Sequence, residues 1–100
     1  MIKLLWTKEL QFRLLEIEEY IARDNPTAAI KFVDELITIG ESIVNKPEKG
    51  RIVPELSIDN IREIIHKNYR IVYIIKKNSI DILTVFEAHR LLRKDKILGS

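Results

Sequence analysis

The amino-acid sequence predicts an α+β fold, in which an N-terminal strand and an antiparallel helical hairpin pack on a twisted antiparallel β-sheet. Apolar side chains recur at helical spacing between about residues 8 and 45. After Asn60 the chain becomes rich in β-branched and aromatic residues, which favour strands. These observations predict the element order β-α-α-β-β-β in a single domain over residues 1–100.

The first half of the chain divides into a short strand and two helices. Residues 2–6 form a short apolar run typical of a strand, and Thr7 is suited to cap a helix over residues 8–23. Asn25 and Pro26 end that helix and begin a second one, which runs to about residue 45. Because the connection is so short, the two helices are expected to lie antiparallel. Gly40 costs helix stability at its position unless packing requires it.

The second half of the chain predicts an antiparallel meander. Strands are expected over residues 61–66, 69–75 and 80–86, joined by compact turns at residues 67–68 and 77–78. Residues 51–59 are expected to be extended but irregular, because Pro54 cannot occupy a central position of a sheet. Residues 88–98 predict either a short C-terminal helix or a tail.

The composition excludes several kinds of site. The chain contains no cysteine, which rules out disulfides, thiolate zinc sites and a cysteine nucleophile. It shows no signal peptide and no apolar run of about 20 residues, so a cytoplasmic protein without membrane attachment is expected. No His, Cys or carboxylate set has metal-ligand spacing, and no glycine-rich phosphate loop is present. We therefore expect neither a metal nor a cofactor.

The small net charge of +2 conceals an asymmetry along the chain. Residues 9–41 carry eight acids and three bases, a net charge of −5, whereas residues 42–100 carry twelve bases and seven acids, a net charge of +5. The predicted hairpin is therefore acidic, and the predicted sheet and tail are basic. Such an arrangement suits a charged partner on the basic side, although glutamate-rich helix surfaces are common without one.

Six short motifs follow one another along the chain: Tyr20-Ile21-Ala22, Asp24-Asn25-Pro26-Thr27-Ala28-Ala29 with Phe32 shortly after it, Gly50-Arg51-Ile52-Val53-Pro54-Glu55, Ile61-Arg62-Glu63-Ile64, Tyr69-Arg70-Ile71-Val72-Tyr73 and Ile82-Leu83-Thr84-Val85. In this order and at these spacings they resemble the RelE/ParE superfamily of type II toxin–antitoxin toxins, and most closely its ParE-like, plasmid-stabilisation branch. The resemblance covers about residues 6–92 and implies the fold argued above. It also implies a cognate antitoxin, which wraps a partly disordered segment around the toxin in a hetero-oligomer.

The resemblance implies three alternative activities. ParE-type toxins act on DNA gyrase, RelE-type toxins cleave mRNA in the ribosomal A site, and some relatives bind an antitoxin without an established toxic target. Whether the protein is an enzyme therefore depends on the branch. Glu63 stands at or near a position where RelE has lysine, and a net charge of +2 is low for binding ribosomal RNA. Both observations favour the ParE-like alternative.

The candidate catalytic residues for the RelE-like alternative are Arg70, His89 and Arg90. Two-residue turns would place Arg70 beside Ile65 on one side and beside Val85 on the other, close to the strand end from which His89 and Arg90 emerge. The resemblance implies that the residues matching Arg70 and Arg90 belong to the active surface of the RelE branch. Some ribonuclease relatives use a glutamate base and a C-terminal histidine acid, which Glu55 and His89 would imitate.

The remaining candidates are binding residues, each with a structural alternative. Arg51, Arg62, Arg93 and Lys94 are the candidate binding residues. The same register places Arg62 beside Tyr73 and on the opposite face of the sheet from Arg70. As a structural alternative, Arg70 would form an ion pair with Asp81 or Glu63. His66, next to a turn, is expected to be solvated, whereas Tyr69 and Tyr73 are expected to pack in the core.

Overall fold

The computed structural model describes residues 2–89 and confirms the predicted α+β fold. Two helices precede most of a five-stranded sheet with the order β1-β5-β4-β3-β2. The predicted alternatives for residues 88–98, and the candidates Arg90, Arg93 and Lys94, lie wholly or mostly outside the described residues. The elements are β1 (Lys3–Trp6), α1 (Lys8–Ala22), α2 (Pro26–Asn45), a 3₁₀ turn (Pro47–Lys49), β2 (Arg51–Ile52), β3 (Ile61–His66), β4 (Tyr69–Ile75) and β5 (Ser79–Glu87).

The sheet is mixed, because its first strand runs parallel to its last. Strands β3 to β5 form the predicted antiparallel meander. The strand β2, which pairs with β3, was not predicted, because its two residues belong to the segment that was expected to be irregular. β1 joins at the edge and pairs in parallel with β5, from Lys3 opposite Ser79 to Trp6 opposite Ile82. The helical hairpin follows β1 and precedes β2, so it carries the chain from one edge of the sheet to the other before the meander returns to β1.

The two predicted helix caps are confirmed. The Thr7 side chain accepts a hydrogen bond from the Leu10 N–H at 3.1 Å, and the Asn25 side chain accepts one from the Ala28 N–H at 3.0 Å. Each cap satisfies one of the N–H groups that a helix start leaves unpaired. The Thr7 hydroxyl also lies 2.8 Å from the Ile82 carbonyl, and so fastens the start of α1 to β5.

The sheet has an apolar layer on each face, so that β4 is buried from both sides. The face below the helices holds the larger core, in which Tyr73 is fully buried, as predicted. The opposite face, which we call the outer sheet face, packs beneath residues 53–58. The buried members of the first layer are Leu10, Phe32, Leu36, Ile43, Ile71, Tyr73, Ile80, Ile82 and Val85, and those of the second are Val53, Leu56, Ile61 and Val72.

The strand register confirms the predicted partner of Arg70 in β3 and corrects the predicted partner in β5. Arg70 lies opposite Ile65 in β3, as expected for a two-residue turn. In β5, however, its partner is Phe86 and not Val85. Tyr73 pairs with Ile82 but Val72 pairs with Thr84, so Leu83 is an extra residue in a β-bulge. The bulge shifts every pair beyond it by one residue.

Gly40 lies where α2 meets the indole ring of Trp6. A Cβ atom at Gly40 would stand 2.3 Å from one ring carbon of Trp6, so the ring would have to move. Although alanine is the better helix former by about 1 kcal/mol, we expect Gly40→Ala to lower the free energy of unfolding by about 1–3 kcal/mol. Urea denaturation followed by the fluorescence of Trp6, the single tryptophan, measures this change.

A suitable control is Thr38→Ala, at an exposed position of the same helix. It changes helix propensity in the same direction without touching Trp6 and should leave stability within about 0.5 kcal/mol of the unmodified protein. A Gly40→Ala variant as stable as this control, with unchanged Trp6 fluorescence, would contradict the packing argument.

Candidate functional site

Arg70, the leading catalytic candidate, lies in a buried ion network on the outer sheet face. Its side chain is 5% exposed. The two terminal nitrogens donate hydrogen bonds of 2.6 and 2.7 Å to the carboxylate oxygens of Glu55, and Nε donates one of 2.6 Å to Glu63 Oε1. All three nitrogens of the guanidinium therefore point at internal carboxylates.

Glu63 joins a second arginine to this network. Its side chain is completely buried, and its other oxygen accepts a 2.6 Å hydrogen bond from Arg51 Nε. Among residues 2–89, the network therefore contains two arginines and two glutamates. The Arg70 guanidinium also lies 5.1 Å from the centre of the Phe86 ring, a favourable cation–π distance. Opposite charges in equal number make the burial of Glu63 tolerable.

The network also keeps Arg70 charged. The hydrogen bond to Glu55 contributes most to raising the pKa of Arg70 above its ordinary value, and the one to Glu63 adds to it, against the opposing effect of burial. The arginine is therefore a permanent cation whose charge is balanced locally. Of the two partners foreseen for it, Glu63 binds Arg70, while Asp81 lies 2.8 Å from Lys76 Nζ.

Of the predicted catalytic residues, Arg70 and His89 lie within the described part of the chain, and their side chains differ widely in exposure. His89 lies in the turn after β5, with its side chain 76% exposed and its ring 3.9 Å from Glu87. Glu55, which would be the base opposite His89, instead has both of its carboxylate oxygens bound by Arg70. The catalytic roles of these residues remain predictions.

Arg62 lies on the opposite face of the sheet from Arg70, as the register predicted. Its side chain is 14% exposed and donates hydrogen bonds of 3.1 Å to the backbone carbonyls of Asp59 and Gly50. These contacts hold the chain on both sides of β2. A role for Arg62 in binding a partner stays a prediction, but in the folded protein its side chain links the segments before and after β2.

Tyr73 organises the same stretch of chain from inside the core. Its hydroxyl accepts a 2.9 Å hydrogen bond from the Gly50 N–H and donates one of 2.6 Å to the Pro47 carbonyl. Burial raises the pKa of the Tyr73 phenol, so the hydroxyl keeps the proton that it donates. The tyrosine thereby fixes the point at which β2 begins with Arg51.

The prediction that His66 is solvated is wrong, because it forms part of a link between α2 and the β3–β4 turn. Its side chain is only 24% exposed, and its Nε2 lies 2.9 Å from a carboxylate oxygen of Glu35. Lys67 Nζ lies 3.0 Å from the same oxygen. The hydrogen bond from His66, followed by that from Lys67, lowers the pKa of Glu35. Glu35 is 31 residues away from His66, so no local sequence signal reveals the pair.

A second surface feature lies on the helices. Besides Tyr20, the helices expose four large apolar side chains, which we call the apolar hairpin residues: Phe12 and Leu15 on α1, and Ile30 and Ile37 on α2. They are between 40% and 61% exposed. Each pair lies on one side of its helix, because its members are three or seven residues apart, and the two helices pack against each other. They belong to the part of the chain, residues 9–41, that carries a net charge of −5.

Within residues 2–89, no group of three or more histidine, cysteine or acidic side chains is placed to hold a metal ion. Neither α1 nor α2 combines the length and the apolar character that crossing a lipid bilayer would require.

Comparison with known proteins identifies the family. Residues 4–92 match the family described as the ParE toxin of the type II toxin–antitoxin system parDE. The chain belongs to this family. A relative from Sinorhizobium fredii (strain NBRC 101917 / NGR234), named "Putative toxin Y4kP", is 34% identical over 87 residues, which are 85% of this chain and 86% of that protein.

Solved structures support the ParE fold independently. A chain of the structure titled "Chromosomal ParDE TA system from P. aeruginosa" superposes with a TM-score of 0.73 at 20% sequence identity, and the match covers 89% of this ParE-family chain and 98% of that chain. The predicted membership of a ParE-like toxin branch is thus confirmed. The protein is a type II toxin, for which an antitoxin is the partner.

Proposed function

We propose that this ParE-family toxin inhibits growth in the bacterial cytoplasm by binding DNA gyrase, and that its cognate antitoxin neutralises it. The observation that carries the proposal is the complete engagement of the Arg70 guanidinium by Glu55 and Glu63. The residue best placed to bind RNA phosphates is committed to internal carboxylates. Gyrase is the target that resemblance to ParE-type toxins implies.

The chemistry of RNA cleavage explains why the contacts of Arg70 with Glu55 and Glu63 count against a ribonuclease. Attack by a 2′ hydroxyl group needs a base, an acid and a cation that stabilises the charge of the pentacoordinate phosphorus. In this protein the buried cation is neutralised by two acids, and both carboxylate oxygens of Glu55 accept hydrogen bonds from it. These contacts would have to break before either residue served catalysis.

The apolar hairpin residues supply the positive argument for a protein target. Exposed apolar side chains that lie together are typical of protein–protein interfaces, and each helix presents one such pair. In this chain they lie on the helical hairpin, far in sequence from the basic sheet and tail. We therefore infer that gyrase contacts Leu15 and Ile37 together with their two neighbours in this set.

The test is a gyrase supercoiling assay with purified toxin and two variants. Leu15→Lys should weaken inhibition at least tenfold, because a charge replaces an apolar contact, and should leave the fold intact because Leu15 is 51% exposed. Asn78→Lys, at an exposed position in the β4–β5 turn, adds the same charge away from the helices and should inhibit like the unmodified toxin.

Supercoiling that is unaffected by a stoichiometric excess of the unmodified toxin would overturn the proposal. An mRNA cleavage assay with ribosomes, run on the same preparation, separates the alternatives. Cleavage in the A site would favour the ribonuclease activity. Inactivity in both assays, with normal growth on expression, would favour a family member that binds an antitoxin but has no toxic target.

A further inference from the structure

Arg51 presents a fixed guanidinium to the solvent at the edge of the sheet. The side chain is 61% exposed, yet its Nε is held 2.6 Å from the completely buried Glu63 carboxylate. Its two terminal nitrogens have no hydrogen-bond partner within the described part of the chain. A buried anchor thus orients the arginine, while the outer edge of the guanidinium keeps its N–H groups unused. Two parallel N–H groups match the two oxygens of a carboxylate.

An exposed apolar side chain lies beside this arginine. Ile65 follows Glu63 by two residues in β3 and therefore points to the same, outer sheet face. Because Arg51 pairs with Glu63, Arg51 and Ile65 occupy neighbouring positions, about 7 Å apart along the strand direction. Ile65 is 47% exposed, which is unusual for a large aliphatic residue inside a strand that otherwise points into the protein on this face.

The position of Arg51 favours an extended partner. The sheet ends at β2, which has only two residues, so its outer edge is open within the described structure. An extended segment that lies over this edge would place alternate side chains about 7 Å apart, which is the separation of Arg51 and Ile65 along the strand direction. Because Ile65 lies on β3, the segment has to contact the outer sheet face as well as the edge of β2. An acidic residue and an apolar residue separated by one position would meet both.

Charge favours a protein segment over a nucleic acid. Arg51 and Arg70 together balance Glu55 and Glu63, so the site has no net positive charge with which to attract a polyanion. A nucleic acid presents a row of phosphates and is bound by several cations, whereas this site offers one available guanidinium next to an isoleucine. A single carboxylate with an adjacent apolar side chain satisfies both groups.

We propose that Arg51 and Ile65 form a recognition site for an extended acidic and apolar segment of the antitoxin. This inference rests on the part of the proposed function that concerns neutralisation by an antitoxin. It assigns the antitoxin to the outer sheet face, on the other side of the sheet from the apolar hairpin residues that we assign to gyrase. Toxicity and neutralisation therefore depend on different side chains.

The experiment measures the affinity of the purified toxin for the antitoxin from the neighbouring reading frame, by titration calorimetry at two salt concentrations. Arg51→Gln should weaken binding about tenfold to a hundredfold and reduce its salt dependence, because the charge-assisted pair is lost. Ile65→Ser, which leaves the ion network untouched, should weaken binding at least fivefold. Arg51→Lys keeps the charge but loses the two parallel N–H groups of the guanidinium, so its affinity for the antitoxin should lie between those of Arg51→Gln and the unmodified toxin.

Arg23→Gln is the matched control, since it removes the same charge from an exposed position at the end of α1 and should leave the affinity unchanged. Thermal unfolding of each variant separates lost recognition from lost folding. Antitoxin affinities of Arg51→Gln and Ile65→Ser that equal that of Arg23→Gln would overturn the inference, as would RNA binding that Arg51→Gln abolishes while antitoxin affinity is retained.

The supercoiling assay reports on the proposed function separately. A toxin that leaves gyrase unaffected, but whose antitoxin affinity falls in Arg51→Gln and Ile65→Ser, would contradict the gyrase target and support the antitoxin site. A toxin that inhibits gyrase, but whose antitoxin affinity is unchanged in Arg51→Gln and Ile65→Ser, would support the gyrase target and contradict the antitoxin site.

Discussion

Replacing Arg70 by alanine is expected to lower the free energy of unfolding by about 3–5 kcal/mol. The reason is that Glu63, which is completely buried, would lose the buried Arg70 and keep only the exposed Arg51 as an ion-pair partner. Glu55 would lose both hydrogen bonds from the same guanidinium. Urea denaturation at neutral pH, followed by far-ultraviolet circular dichroism, gives the measurement.

Two further variants test whether the buried charge causes the loss. Arg51→Gln removes the exposed partner of Glu63 and should cost no more than about 1 kcal/mol, because solvent screens that pair. Combining Arg70→Ala with Glu63→Gln removes the unpaired charge, so the double variant should be destabilised by less than the sum of the single changes. A destabilisation below about 1 kcal/mol for Arg70→Ala would show that water reaches Glu63.

Gly50→Ala is expected to lower the free energy of unfolding by about 2–4 kcal/mol through a steric conflict with the backbone. A Cβ at this position would stand 2.6 Å from the Glu63 carbonyl oxygen and 2.7 Å from the Tyr73 hydroxyl. Neither can withdraw easily, since Glu63 lies in the middle of a strand and Tyr73 is fully buried. The hydrogen bond between Gly50 and Tyr73 would be lost as well. Thermal and urea unfolding measure the change.

Tyr73→Phe provides the companion variant for Gly50→Ala. Alone it leaves the Gly50 N–H and the Pro47 carbonyl without their partner and should cost about 1–3 kcal/mol. In the double variant the missing hydroxyl makes room for the added methyl group, so the two losses should be less than additive. Strict additivity would mean that the conflict at Gly50 involves the Glu63 backbone alone.

The parts of the fold that the sequence predicts well depend on short-range chemistry. Thr7 and Asn25 cap helices because their side chains reach an N–H three residues ahead, and this reach does not depend on the rest of the chain. A two-residue turn likewise determines the pairing of Arg70 with Ile65. The bulge at Leu83 could not be predicted in this way, since nothing in the local sequence distinguishes Leu83 from the other apolar residues of β5.

The candidate site was less predictable, because its geometry depends on segments far apart in the chain. The alternation of side chains along paired strands places Arg70 and Arg62 correctly on opposite faces of the sheet. It does not place Glu55, which approaches from the irregular segment between β2 and β3. The same holds for Glu63, which a strand pattern alone gives no reason to bury among arginines. The partners of an ion network are a property of the folded chain.

The parallel pairing of β1 with β5 also determines the order in which the toxin can fold. Thr7, directly after β1, bonds to Ile82, which is 75 residues away in the chain. Such distant pairing is slow to form, because a long loop must close before any contact compensates for the lost entropy. During synthesis β1 emerges first and stays without its partner until β5 follows. The ribosome has therefore made most of the toxin before the sheet can be completed.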